Sequence, residues 1–140
     1  TPTPTPTHTP TKRPAGPTST PSPTSAPSPS RNVVIDLSCS QFDAPGNDNY
    51  NLNAEYVCFR NAGASSANMT GWHVRDAANH TYTFPVFALE SGARVRLHTG
   101  SGNNTASDLY WGMGSAVWNN DGDTVYLYDA HWALVDQRSY

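Results

Sequence analysis

The chain has 140 residues with a formal net charge of −3 at pH 7, and no apolar run approaches the roughly 20 residues that a membrane-spanning helix needs. Residues 1–31 hold ten of the twelve prolines together with nine Thr and five Ser, a composition that cannot bury apolar surface. A compact core must therefore come from residues 32–140, enough for one small domain. That part carries five Arg against eleven Asp and Glu, which argues against the dense basic footprint of a general nucleic-acid binder.

Taken in chain order, the Thr-Pro repeat from Thr1 predicts a disordered linker that favours extended polyproline II and spaces two things apart. It starts with no charged n-region or apolar h-region before it. The expectation is a C-terminal piece of a longer exported or surface-attached chain, with a catalytic domain upstream.

After Arg31 the pattern becomes short period-two runs rich in Val, Tyr, Trp, Phe and Thr, separated by Gly/Asn/Asp clusters, which is the signature of β-strands. Strands are expected at about 32–42, 55–61, 72–76, 80–84, 94–99, 109–111, 124–129 and 133–140. Seven or eight short strands in this length predict an antiparallel sandwich. Alternation puts Val33, Ile35, Leu37, Val57, Phe59, Trp72, Val74, Tyr82, Phe84, Val95, Leu97, Val125 and Leu127 on the core side. Arg60, His73, Arg75, Arg94, Arg96, His98, Tyr126 and Tyr128 then face outward. Asp76-Ala77-Ala78-Asn79 reads as a short hairpin, Asp121-Gly122 as a tight turn that tolerates positive φ, and Pro85 as a strand stop.

Several segments in this order resemble the lamin tail domain, an immunoglobulin-like β-sandwich. They are Glu55-Tyr56-Val57-Cys58-Phe59-Arg60-Asn61, Met69-Thr70-Gly71-Trp72-His73-Val74-Arg75-Asp76 and His80-Thr81-Tyr82-Thr83-Phe84-Pro85. Further on come Leu89-Glu90-Ser91-Gly92-Ala93, Trp118-Asn119-Asn120-Asp121-Gly122-Asp123-Thr124-Val125 and Leu134-Val135-Asp136. The resemblance, to the bacterial exported type, implies a noncatalytic accessory or targeting module beside hydrolases, nucleases or adhesins. One departure stands out: Tyr128-Asp129-Ala130-His131-Trp132-Ala133 sets a Trp at a hairpin tip where bacterial members usually carry a small turn residue.

Asp43, Asp48 and Glu55 lie in a segment dense in the oxygen ligands that calcium prefers, although a turn-rich loop whose Asn side chains bond its own backbone is the preferred reading. Asp121 and Asp123 read as turn chemistry rather than acid/base chemistry. No nucleophile elbow surrounds Gly114-Ser115, and His73, His80, His98 and His131 are too scattered for a triad. Zinc through His73, His98 and a cysteine lacks the usual ligand spacing. Cys39 and Cys58 are expected to form a disulfide, with reduced packing cysteines as the alternative. Asn68-Met69-Thr70, Asn79-His80-Thr81 and Asn103-Asn104-Thr105 match the glycosylation acceptor pattern.

Two surface features suggest binding. His73, Arg75, Arg94, Arg96 and His98 would form one basic stripe for an acidic polymer if their strands were neighbours, extended by Tyr126 and Tyr128; the preferred alternative is a solvated sheet face with Arg paired to Asp or Glu across strands. Among Trp111, Trp118, Trp132, Tyr110 and Tyr50, the best candidate to stack on a sugar is Trp132. The expectation is a noncatalytic accessory, adhesion or targeting module of an exported protein, without a resident cofactor and with a polysaccharide or cell-surface polymer as partner. The alternatives are a carbohydrate-binding module, or a domain guiding an extracellular nuclease to nucleic acid.

Overall fold

The computed structural model describes residues 32–140, and the Pro/Thr/Ser segment expected to be a linker lies outside them. Ten strands follow one another: β1 (Val33–Ile35), β2 (Tyr56–Asn61), β3 (Ala67–Asn68), β4 (His73–Arg75), β5 (Thr81–Thr83), β6 (Ala88–Leu89), β7 (Arg94–His98), β8 (Asp108–Tyr110), β9 (Thr124–Tyr128) and β10 (Leu134–Ser139). They form a sheet of order β1-β2-β7-β8, a second of order β10-β9-β4-β5, and a two-stranded ribbon β3-β6. This is the expected all-β, immunoglobulin-like sandwich. Strands β3 and β6 are two residues long, too short to register as an alternating pattern.

The core lies between the two larger sheets, because each contributes alternate side chains to it. Val57, Phe59, Val95 and Leu97 from one sheet and Val74, Tyr82, Val125 and Leu127 from the other are all buried. Phe59 meets Phe84 edge to face with centroids 5.9 Å apart, and Tyr82 meets Phe84 at 5.3 Å. Every residue expected in the core is buried except Leu37, which packs half-buried at its edge.

Three features differ from expectation. The pair β7–β8 runs parallel, with Leu97 opposite Leu109, so the sandwich is not wholly antiparallel. His98 is buried rather than facing water. The first strand ends at Ile35 instead of continuing to Phe42, because the chain turns away and folds back over the outside of β2. There the Asp36 amide donates to the Cys58 carbonyl at 2.9 Å, the Cys58 amide donates to Ser40 Oγ at 2.8 Å, and Gln41 bridges to Tyr56. This flap is stapled by a disulfide between Cys39 and Cys58, whose Cα atoms lie 5.7 Å apart. Cys58 is thereby fully buried on the outward side of its strand.

The open side of the sandwich is closed at one edge by Asp136, whose Oδ2 accepts from the Ile35 amide at 2.8 Å and so ties β10 to β1. Two glycines are demanded by geometry. Gly71 enters the turn before β4 at φ +77°. Gly122 sits at φ +138°, where an added Cβ would meet the Tyr140 carbonyl oxygen at 2.9 Å.

Candidate functional site

The outward face of the β10-β9-β4-β5 sheet is set by register. His73 lies opposite Tyr128 and Thr83, Arg75 opposite Tyr126 and Thr81, and Tyr126 and Tyr128 opposite Gln137 and Leu134. Two cross-strand rows result, Thr83-His73-Tyr128-Leu134 and Thr81-Arg75-Tyr126-Gln137. Onto the first row folds the β9–β10 hairpin tip. Asp129 builds that tip: its Oδ1 accepts from the His131 and Ala133 amides at 2.8 and 2.9 Å, and its carbonyl accepts from the Trp132 amide at 3.1 Å.

At the end of this turn Trp132 takes φ +65°. That left-handed position normally falls to Gly or Asn, and a Cβ-bearing residue there costs roughly 1 kcal/mol or more. The conformation lays the indole flat on His73, with ring centroids 3.7 Å apart and planes 4° from parallel. Tyr128 tilts against the same indole at 5.4 Å, and Tyr126 stacks beside Tyr128 at 6.3 Å. One face of the indole is covered by the imidazole, yet Trp132 remains 49% exposed. The other three tryptophans are buried or half-buried.

Arg75 completes the cluster. Its guanidinium carbon stands 5.9 Å from the Tyr128 centroid and 5.8 Å from that of Trp132, within cation–π range. It donates to the neutral amide oxygen of Asn79, itself held at φ +73°. His73 accepts or donates at Nδ1 with Thr83 Oγ1 at 2.9 Å. Burial pushes the His73 imidazole below its ordinary value of 6.5, an effect that Asp129 partly opposes. The ring under Trp132 is therefore neutral at neutral pH.

The five cationic candidates do not form one stripe. His73 and Arg75 are on β4, whereas Arg94, Arg96 and His98 are on β7 in the other sheet, whose outer face points the opposite way. On that second face the charges are matched. Arg94 Nε donates to Asp36 Oδ2 at 2.8 Å, with Arg60 Nε 3.7 Å from the same oxygen, and Arg96 Nε donates to Asp108 Oδ1 at 3.0 Å. His98 has both ring nitrogens engaged, Nε2 with Asp108 Oδ1 and Nδ1 with the Asn53 carbonyl, each at 2.7 Å. It is stacked on Tyr110 at 4.8 Å and neighbours Tyr56.

Among the described residues, no group of three or more His, Cys, Asp or Glu is placed to hold a metal ion, although Asp48 lies near enough to Glu55 to add to burial in raising its pKa. Asp43 is exposed, while Glu55 is fully buried. Glu55 Oε1 accepts from the Thr99 hydroxyl and from the Val117 and Trp118 amides at 3.0 and 3.3 Å, so it anchors the segment that carries the core indole of Trp118. Burial raises its pKa above the ordinary 4.5 despite those donors. Asp123 is likewise a structural acceptor, taking bonds from the Ala77, Asn119 and Thr124 amides. Thr81, Thr83 and Gln137, which rim the aromatic face, were not singled out from sequence, although the alternation that buries Tyr82 already turns both threonines outward.

An immunoglobulin-like sandwich with an aromatic patch on one sheet defines the class as a β-sandwich domain, a fold that by itself does not set an activity. The family model described as Lamin Tail Domain matches residues 26–140, and the chain belongs to that family of noncatalytic immunoglobulin-like domains. No curated protein matches the chain. Among the described residues no helix is long and apolar enough to cross a membrane.

Proposed function

We propose that residues 32–140 are an accessory targeting module of an exported protein, held on the Pro/Thr/Ser segment 1–31 and attaching to a surface polymer through the Trp132 face. The observation that carries this reading is Trp132 itself. A tryptophan at φ +65° on a hairpin tip works against backbone preference, and such strain persists where function requires it. What the strain secures is a flat, half-exposed indole backed by His73.

Other features agree. The Cys39–Cys58 disulfide suits an oxidising, extracellular setting. A proline-rich spacer would keep the module within reach of an attached catalytic domain while it holds the polymer, raising the local concentration of substrate. The rival reading, a domain that guides a nuclease to nucleic acid, loses its basic stripe to the division between sheets.

The test is affinity electrophoresis of the full chain through gels containing a panel of neutral and acidic polysaccharides. At least one should retard the wild type, and Trp132→Ala should migrate as in an empty gel. Equal retardation of Trp132→Ala, or free migration of the folded wild type through the whole panel, would refute the reading.

A further inference from the structure

We propose that the polymer bound at this face is an acidic polysaccharide, with Trp132 stacking on a sugar ring and the Arg75 guanidinium pairing with a carboxylate or sulfate of the chain. The inference rests on the reading of this face as polymer-binding and adds the charge of the ligand.

All but one of the arginines among the described residues have a carboxylate counter-ion. Arg60 and Arg94 sit at Asp36, Arg96 at Asp108 and Arg138 at Asp136, all within 4.0 Å. Among the described residues Arg75 is the arginine outside this pattern, with the neutral Asn79 amide and two aromatic rings around it. The outward positions of its sheet bear no carboxylate. Asp136 turns inward to the Ile35 amide, and the nearby Asp129 uses its Oδ1 on the hairpin backbone. In a domain this acidic, an arginine kept free of carboxylates is the exception that needs a partner. A guanidinium matches carboxylate and sulfate oxygens with paired, charge-assisted hydrogen bonds, and the flanking rings limit competition from water.

The rest of the face fits a sugar rather than a nucleic acid or a peptide. Thr81, Thr83, Gln137 and Ser139 are exposed hydroxyls and an amide, neutral groups that can exchange hydrogen bonds with sugar hydroxyls. On this face, among the described residues, Arg75 is the one arginine outside an ion pair, and one cation cannot supply the several phosphate contacts on which nucleic-acid affinity rests. The exposed side of the indole is flat and backed by a neutral imidazole, suited to stacking on the apolar face of a pyranose.

The experiment uses the full chain in native gels containing polygalacturonate, the same polymer with its carboxyls reduced to alcohols, or a sulfated galactan, with titration calorimetry on the polymer that retards it most. Binding to polygalacturonate assigns the anion to a uronate, and binding to the galactan assigns it to a sulfate ester. In either case, neutralising the polymer and Arg75→Gln should each weaken binding about tenfold or more, Arg75→Lys should fall between, and Arg94→Gln should leave it unchanged. Equal binding to the carboxyl-reduced polymer, abolished by Trp132→Ala but not by Arg75→Gln, would overturn the acidic class while leaving the face in place. Arg75-dependent capture of single-stranded DNA with no glycan retained would overturn it in favour of nucleic acid. No binding by folded protein to acidic or neutral polymer would overturn this inference together with the reading beneath it. The comparison of charged and neutralised polymer needs no variant, so it decides the matter even if Arg75→Gln is unstable.

Discussion

The imidazole of His73 and the indole of Trp132 lie face to face, 3.7 Å between centroids, although 59 positions separate them in sequence. One belongs to the middle of a sheet and the other to the turn that ends it. The pairing converts a hairpin tip into part of a surface, since the indole is held against β4 instead of projecting into water.

This gives opposite expectations for two tryptophans. Trp132→Gly removes a stack worth about 1 kcal/mol but relieves a left-handed backbone of similar cost, so stability should change by less than about 1 kcal/mol. Trp118→Ala, in the core, should cost about 3–5 kcal/mol. Urea unfolding checks both. A loss at Trp132→Gly as large as that at Trp118→Ala would make the indole a structural element.

Glu55 is expected to behave as a buried acceptor, not as a metal ligand. Glu55→Ala strands the Thr99 hydroxyl and two backbone amides and should destabilise by about 3 kcal/mol. Glu55→Gln keeps a carbonyl oxygen for them and should cost clearly less. Melting curves with and without added calcium should coincide for the wild type.

Acid should weaken the fold through two other carboxylates. Hydrogen bonds from Ser38 and Arg94 lower the pKa of Asp36, and that from His98 lowers Asp108. A carboxylate held below its unfolded value of 3.8 adds stability above that pH and loses it as pH falls through the folded value. Glu55, raised by burial, has the opposite sign: its contribution is complete below 4.5 and fades as pH rises through its folded value. Unfolding free energy measured downward from pH 5 should therefore fall below about pH 4, and Asp108→Asn should flatten that fall.

Reduction of the Cys39–Cys58 bond, which closes a separation of 19 residues, should lower stability by about 3 kcal/mol on the chain-entropy account. Parallel urea titrations of oxidised protein and of Cys39→Ser measure it. The flap over β2 should be the first region of the variant to lose hydrogen-exchange protection.

The layers of the sandwich were legible because alternation is a local property: Val57, Phe59, Val95, Leu97, Val125 and Leu127 declare their side within one strand. Which strands share a sheet is not local. That is why Arg75 and Arg96, equivalent by alternation, end on opposite outer faces, and why the parallel β7–β8 pair was missed. The run after Ile35 keeps an apolar rhythm through Leu37, yet the Asp36 carboxylate and Cys39 draw it into a flap. That Glu55 is buried and holds the Thr99 hydroxyl and the Val117 and Trp118 amides through Oε1 could not be seen in sequence, because composition alone cannot tell an exposed carboxylate from a buried one. Trp132 was recognisable as an oddity of the turn, while its left-handed backbone and its seat on His73 depend on the fold.

The most direct measurement is a two-dimensional NMR titration of the full chain with an oligogalacturonide. Shifts should concentrate at the Trp132 indole, the amides of 73–75 and 126–132, and the Arg75 side chain. Shifts centred on Arg94, Arg96 and His98, or an unperturbed Trp132 indole at saturating ligand, would contradict binding at the Trp132 face.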